Sequence, residues 1–105
     1  MRIRYTPEAI RDLQEMRRYI TQTLHNPAAA NRIAKAILDA CAALKQQPQM
    51  GTSLESKIGQ STDLRYLICE KRITFYRIDG EVLSIARIID GRQDYLHILF
   101  GEDNV

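Results

Sequence analysis

Arginine side chains recur in the C-terminal half of the chain, among residues typical of strands. Arg65, Arg72 and Arg87 each have aliphatic neighbours. A guanidinium group binds carboxylates and phosphates through paired hydrogen bonds, so a sheet face that carries several of them suits an anionic ligand. Alternatively, the long side chains extend over apolar surface and hold their charged ends in water. The residues alone leave both interpretations open.

The cysteines and histidines do not have the spacing of a metal site. Cys41 and Cys69 are far apart in the sequence, and the two histidines, His25 and His97, lie in other segments. Metal ligands usually occur in closely spaced pairs. We therefore expect two reduced thiols, no metal and no cofactor.

Length and charge limit the kind of protein. The chain has 105 residues, which corresponds to one domain spanning 1–105, and its net charge is +2. Residues 1–50 carry eight basic and four acidic side chains, an excess that either attracts an acidic partner or belongs to a solvated surface. The sequence shows no signal-peptide pattern and no run of roughly 18 apolar residues, so we expect a cytoplasmic protein.

The N-terminal half has the pattern of a strand followed by two helices. We predict a strand over residues 2–5 and a helix that starts at Thr6-Pro7, with the threonine as cap, and reaches about residue 25. Asn26-Pro27 repeats the start signal for a second helix, which ends by Pro48. Two helices joined so tightly are expected to form an antiparallel hairpin.

The C-terminal half is typical of a three-stranded meander. We predict a polar loop over 49–62, strands over 64–70, 72–78 and 82–89, a short helix or strand over 94–100, and frayed last residues. A two-residue turn at Asp79-Gly80 would place Arg72 opposite Arg87. A second tight turn at Glu70-Lys71 would place Ile68 opposite Ile73. The predicted fold class is α+β, with the N-terminal strand and the helix hairpin packed on an antiparallel sheet.

Alternation along the strands predicts two sheet faces. One is almost wholly apolar and is expected to pack on the helices; it comprises Leu64, Tyr66, Ile68, Ile73, Phe75, Val82, Ala86 and Ile88. The other is expected to be exposed; it comprises Arg65, Leu67, Cys69, Arg72, Thr74, Tyr76, Leu83, Ile85, Arg87 and Ile89. The predicted core consists of Leu13, Ile20, Ile37, Leu44, Ile68, Phe75 and Ile88.

The order of elements and three sequence segments resemble the ParE/RelE-type toxins of bacterial type II toxin–antitoxin pairs. The segments are Asp63-Leu64-Arg65-Tyr66, Ile73-Thr74-Phe75-Tyr76-Arg77, and residues 85–95, which end in Gly91-Arg92-Gln93-Asp94-Tyr95. The resemblance covers almost the whole chain. It implies a plasmid-stabilisation toxin that arrests growth and is neutralised by a cognate antitoxin.

The resemblance implies two rival activities. ParE-like members poison DNA gyrase and are not enzymes, and we expect this activity. RelE-like members cut mRNA in the ribosome, which requires cations on the phosphate and a general acid or base. On that alternative Arg65, Arg87 and Arg92 would hold the phosphate, and Tyr95 or His97 would move protons. A third alternative is a non-toxic binding module on the same fold.

The exposed face would then bind the antitoxin. We expect an acidic, amphipathic antitoxin segment that orders on contact. A toxin–antitoxin hetero-oligomer is one assembly that such binding allows. Its aliphatic groups would cover Leu67, Leu83 and Ile85. Its carboxylates would meet the arginines of that face, which are Arg65, Arg72 and Arg87.

Overall fold

Ten short elements make up the fold. The computed structural model describes residues 1–101. In chain order the elements are β1 (Arg2–Tyr5), α1 (Pro7–Arg18), a π-helical turn (Tyr19–Thr23), α2 (Pro27–Ala43), β2 (Thr52–Ser53), α3 (Leu54–Ile58), β3 (Arg65–Cys69), β4 (Arg72–Asp79), β5 (Val82–Asp90) and α4 (Tyr95–Phe100). The sheet order is β1-β5-β4-β3-β2. The α+β prediction, with an N-terminal strand and a helix hairpin on a sheet, is therefore confirmed.

The two predicted helix caps are present. The Oγ1 of Thr6 accepts a hydrogen bond from the backbone N–H of Ala9 at 3.1 Å, and Asn26 caps α2 in the same way, at 3.1 Å from the N–H of Ala29. The π-helical turn extends α1 almost to the predicted end of the first helix. Helix α2 ends at Ala43, a few residues before the predicted end.

The sheet joins one parallel strand to an antiparallel meander. Strand β1 pairs in parallel with β5, and the remaining neighbours are antiparallel. In the β3–β4 turn, Glu70 and Lys71 have φ values of 53° and 64°, which suits a two-residue hairpin turn of the type with two left-handed residues. Ile68 therefore lies opposite Ile73, as predicted.

The predicted register between β4 and β5 was wrong. Asp79 pairs with Val82, so the turn residues are Gly80 and Glu81, one position later than predicted. Farther along, the register shifts between Phe75 and Tyr76, where β5 contains one extra residue, as in a β-bulge. As a result Arg72 lies opposite Asp90 and not opposite Arg87. The expected like-charge pair is replaced by an opposite-charge pair.

The helices cover the sheet face that was predicted to be exposed. Their core contains Ala9, Ile37, Cys41, Leu44, Tyr76, Leu83, Ile85 and Ile88. The other face carries a second core, made of Leu54, Leu64, Ile73, Phe75 and Ile89, with Tyr66 and the apolar residues of α3 and α4 packed against it. Helices cover both faces of the sheet. The greater apolar character of one face therefore did not reveal which face packs against the hairpin of α1 and α2. The bulge also exchanges the expected sides of Ile88 and Ile89, since one inserted residue inverts the alternation.

Most of the predicted core residues are buried. Ile20, Ile37, Leu44, Phe75 and Ile88 are at most 5% exposed, and Leu13 packs partly buried against the helix-side core. Ile68 is the exception. Its side chain is 62% exposed, because the end of β3 extends beyond the cover that α3 and α4 provide to its neighbours.

The segment predicted as a polar loop contains β2 and α3. Ser53 caps α3 by accepting a hydrogen bond from Ser56, and Leu54 is 1% exposed in the second core. Leu54 and Ile58 lie four residues apart and therefore face the same side of the short helix. Their burial explains why a polar stretch folds onto the sheet.

No helix within residues 1–101 combines the length and the apolar character that a membrane span requires. Of the five terminal residues predicted to fray, Gly101 ends α4 in a left-handed conformation (φ 66°). The other four lie outside the described residues.

Candidate functional site

Two adjoining cavities lie at the end of the sheet where β5 meets the loop before α4. The α1-side cavity has a volume of about 610 Å³ and is lined by Asp12, Glu15, Met16, Tyr19, Arg72, Arg87, Ile88, Asp90, Arg92, Gln93 and Ile98. The turn-side cavity has about 560 Å³ and is lined by Lys57, Ile68, Lys71, Arg72, Ile73, Asp90, Gly91, Arg92 and Tyr95. Arg72, Asp90 and Arg92 border both. Both cavities are concave and lined by charged residues, and together they form the candidate site.

Asp90 is the shared anion of the two cavities. Its carboxylate accepts hydrogen bonds from Nε and Nη2 of Arg92, at 3.1 and 3.0 Å, and from the Arg92 backbone N–H at 2.9 Å. These bonds, with the nearby charge of Arg72, lower the pKa of Asp90 to about 2. Asp90 thus remains ionised and fixes Arg92, whose side chain is otherwise 87% exposed.

Arg87 is held by an acidic residue of α1. Its Nε and Nη2 donate to the two carboxylate oxygens of Asp12, both at 2.8 Å. The same carboxylate accepts the backbone N–H of Ile88 at 2.8 Å. Strand β1 pairs with β5 only as far as Ile85. Beyond that point the Asp12 carboxylate, in place of β1, accepts a backbone hydrogen bond from β5. The hydrogen bonds that Arg87 donates to Asp12 raise the pKa of Arg87.

Arg65 lies away from the cavities and holds the loop before β2. Its Nη2 donates to the carbonyl oxygens of Gln49, at 3.1 Å, and Gly51, at 2.5 Å. The buried Tyr76 hydroxyl anchors the same loop, because it donates to the Pro48 carbonyl at 2.8 Å and accepts the Gly51 N–H at 3.0 Å. Arg65 therefore supports the backbone and is not directed at a ligand.

The aliphatic residues predicted to meet an antitoxin lie under the helices. Leu83 and Ile85 are 0% exposed, and Leu67 packs partly buried against the same core. A partner could reach Leu83 and Ile85 only by opening the core. Of the residues proposed for that surface, Arg72 and Arg87 border a cavity. The expected continuous surface does not exist, because the hairpin covers this face of the sheet.

Tyr95 and His97 lie on α4, which Asp94 caps by accepting the N–H of His97 at 3.2 Å. Tyr95 lines the turn-side cavity. Its ring lies 5.5 Å from that of Phe75, centroid to centroid, and Lys57 Nζ lies 5.9 Å from its centre. His97 is exposed and is not among the described residues that line either cavity. The structure therefore brings Arg72, Arg92 and Tyr95 together, but it leaves Arg65 and His97 elsewhere.

Five charged residues of the site were not predicted from the sequence. They are Asp12, Glu15, Lys57, Lys71 and Asp90. Asp12 gave a weak signal, since it is an acidic residue next to the apolar stripe position Leu13. Asp90 would have been found by a register that allowed for the bulge, because that register places it opposite Arg72. Lys57 lay in the supposed loop, and nothing in the sequence indicated its contact with two rings.

The arrangement can bind anions, and its described residues show no metal-binding cluster. Groups of three or more histidine, cysteine, aspartate or glutamate side chains in metal-binding positions are absent from residues 1–101. The α1-side cavity balances three acidic and three basic residues, whereas the turn-side cavity has four basic residues and one acidic residue. Net positive charge is therefore concentrated at the turn-side cavity.

Comparison with known proteins agrees with this architecture. Residues 3–95 match the family described as ParE toxin of type II toxin–antitoxin system, parDE. No curated protein matches the sequence. A solved chain from the chromosomal ParDE toxin–antitoxin system of P. aeruginosa is similar in structure, with a TM-score of 0.72 and 23% sequence identity over 86% of this chain and 95% of that chain. At that identity the likeness concerns the fold.

Proposed function

The chain belongs to the ParE toxin family of type II toxin–antitoxin systems, and on this premise we propose that it arrests growth by inhibiting DNA gyrase and is neutralised by a cognate antitoxin. The observation that supports this activity over mRNA cleavage is the engagement of two arginines. Arg65 is bonded to the carbonyls of Gln49 and Gly51, and Arg87 is bonded to both oxygens of Asp12.

A nuclease would need those guanidinium groups on its substrate. Stabilising a phosphate in the transition state depends on donors already aimed at the developing charge. To serve that purpose Arg87 would have to leave a two-point bond to a carboxylate that is 11% exposed. Breaking such a partly buried pair leaves an uncompensated charge and costs several kcal/mol, on the order of 3. The two arginines are therefore better suited to holding the fold.

One arrangement of residues favours the ribonuclease alternative. Arg92 and Tyr95 line the same cavity, so one cation and one hydroxyl that can donate or accept a proton lie close together. Arg92 is already bonded to Asp90 at 3.0 and 3.1 Å, which neutralises much of its charge. We therefore rank mRNA cleavage second to gyrase inhibition.

Controlled expression in bacteria tests the proposal. Without a partner the protein should stop growth, and plasmids recovered from those cells should have lost negative supercoils. Transcripts from the same cells, mapped for 5′ ends, should show no new cleavage within ribosome-bound mRNA. Unchanged plasmid topology together with new mRNA cuts would support the ribonuclease. Normal growth on full expression of soluble protein would support a non-toxic binding module.

A further inference from the structure

The turn-side cavity carries an uneven charge. Four basic residues line it, which are Lys57, Lys71, Arg72 and Arg92, and its acidic residue is Asp90. Arg92 and Arg72 both interact with that carboxylate. One carboxylate offsets only one of the two arginines, and most of the surplus positive charge lies at Lys57 and Lys71, whose side chains are both exposed.

Apolar side chains line the same cavity as these cations. Ile68 is 62% exposed at the end of β3, and Ile73 and Tyr95 complete the apolar lining. An exposed isoleucine at the mouth of a concave, charged cavity offers an aliphatic side chain a place to lose water. A ligand that matches the cavity therefore combines negative charge with at least one aliphatic group.

The turn-side cavity is also preformed, because backbone contacts within the fold set its shape. The backbone N–H of Gly91 donates to the Lys71 carbonyl at 3.0 Å, which ties the β3–β4 turn to the end of β5. A Cβ on residue 91 would lie 3.3 Å from that oxygen, which is a tight contact, so glycine suits the close approach. A preformed site loses less entropy when a ligand binds.

The aromatic rings favour a peptide over single-stranded nucleic acid. Bases bind such sites by stacking on open ring faces. Lys57 Nζ lies 5.1 Å from the centre of the Tyr66 ring and 5.9 Å from that of Tyr95. Both rings also contact Phe75, with centroids 6.4 and 5.5 Å apart. Of the two rings, that of Tyr95 lines the turn-side cavity, and it already has Lys57 and Phe75 as neighbours.

We propose that the turn-side cavity is the docking site for an acidic segment of the antitoxin. Carboxylates of that segment meet Lys71 and Lys57, and an aliphatic side chain packs on Ile68. The inference rests on the proposed neutralisation by an antitoxin. It replaces the helix-covered surface that contains Leu83 and Ile85 with one that a partner can reach.

The test measures binding of a fluorescent probe peptide to the full chain. The probe is a twelve-residue peptide of glutamate and leucine, and its binding is followed by fluorescence anisotropy at low and high salt. Lys71→Glu reverses one charge at the cavity, and Ile68→Ser removes the aliphatic surface. Lys45→Glu is the matched control, because it makes the same charge change at an exposed position beyond the end of α2.

Lys71→Glu should weaken binding of the probe by about tenfold, a typical effect of charge reversal in an interface, and added salt should reduce the difference. Ile68→Ser should weaken the leucine-containing probe by several-fold and leave a glutamate–serine peptide unchanged, while Lys45→Glu should bind like the parent. Circular dichroism of each variant checks that it is folded.

Equal binding by the parent, Lys71→Glu and Ile68→Ser would overturn the proposal. Tighter binding of a twelve-nucleotide single strand than of the peptide, lost in Lys71→Glu, would overturn it in favour of a nucleic-acid site. The result is independent of gyrase. Peptide binding at this cavity by a protein that fails to inhibit gyrase would sustain the docking site and reject only the proposed target.

Discussion

Asp12 joins α1 to the end of β5 through three hydrogen bonds. Two go to the Arg87 guanidinium and one to the Ile88 N–H, each at 2.8 Å. The Asp12 side chain is 11% exposed and that of Arg87 is 28% exposed. Such a partly buried carboxylate contributes much more to stability than a surface ion pair, because its loss leaves both a charge and a backbone donor unpaired.

Asp12→Ala should therefore lower the free energy of unfolding by about 3 kcal/mol. Asp39→Ala is the matched control. It removes an ion pair with Lys35 whose side chains are 65% and 77% exposed, and such exposed pairs contribute little to stability because solvent screens them. Urea denaturation of the parent and both variants measures the difference. An equal decrease in the free energy of unfolding for the two variants would show that Asp12 does not stabilise the end of β5.

The ionisation of Asp90 should make the stability of the fold depend on pH. The pKa of this carboxyl is lowered to about 2 in the folded chain, against about 3.9 in an unfolded one. Its contribution is therefore fully present above about pH 4 and is lost as the pH falls toward 2. Asp90→Asn lacks the contribution at every pH.

The comparison is a pair of melting-temperature series between pH 7 and pH 2.5. The parent should melt higher than Asp90→Asn at pH 5 to 7, and the gap should narrow below about pH 4. A gap that stays constant down to pH 2.5 would contradict the assigned pairing of Asp90 with Arg92.

At the scale of the elements, the loop before β2 depends on one buried hydroxyl. The Tyr76 side chain is 0% exposed, and its hydroxyl bridges the Pro48 carbonyl and the Gly51 N–H. Tyr76→Phe keeps the ring but leaves both backbone groups without this partner. It should lower the free energy of unfolding by about 2 kcal/mol.

Tyr19→Phe is the control for Tyr76→Phe, since the Tyr19 side chain is 49% exposed, and it should change stability by less than about 0.5 kcal/mol. Thermal or urea unfolding gives both values. A Tyr76→Phe protein as stable as its parent would mean that the loop is held by Arg65 alone.

The element boundaries show which information the sequence contains. Local signals such as Thr6-Pro7 and Asn26-Pro27 predicted the helix starts, because capping involves neighbours within one turn. The bulge in β5 was not predictable in this way. Its inserted position carries no glycine or other distinctive residue, and its effect on Arg72 and Asp90 appears only when two strands are paired.

The candidate site was predicted less completely than the fold. Arg72, Arg92 and Tyr95 were identified and do line a cavity. Lys57 was missed because the short α3 that carries it was taken for a loop. Leu83 and Ile85 were misplaced because the second face has its own cover in α3 and α4, a fact of tertiary packing that alternation along a strand does not contain.

At the scale of the whole molecule, two substitutions distinguish a gyrase-binding protein from a ribonuclease. Tyr95→Phe retains the ring contact with Phe75, and His97→Ala retains the backbone hydrogen bond to Asp94. Both proteins should fold and should still arrest growth on expression. Removing a true general acid or base would instead cost about 10² to 10⁴ in rate.

Colony counts after induction of each variant, with soluble protein measured in parallel, distinguish the two cases. The ribonuclease would predict a folded and nearly harmless Tyr95→Phe or His97→Ala protein. Such a variant, paired with a parent that cuts ribosome-bound mRNA, would reject the gyrase assignment.

The most direct measurement is a supercoiling assay with purified gyrase, relaxed plasmid and ATP, titrated with the full-length protein. We expect the yield of negatively supercoiled plasmid to fall as the protein concentration rises, and mRNA in a translating ribosome extract to stay intact at the same concentrations. Full supercoiling at a large molar excess of folded protein, together with cut mRNA in the extract, would contradict this expectation.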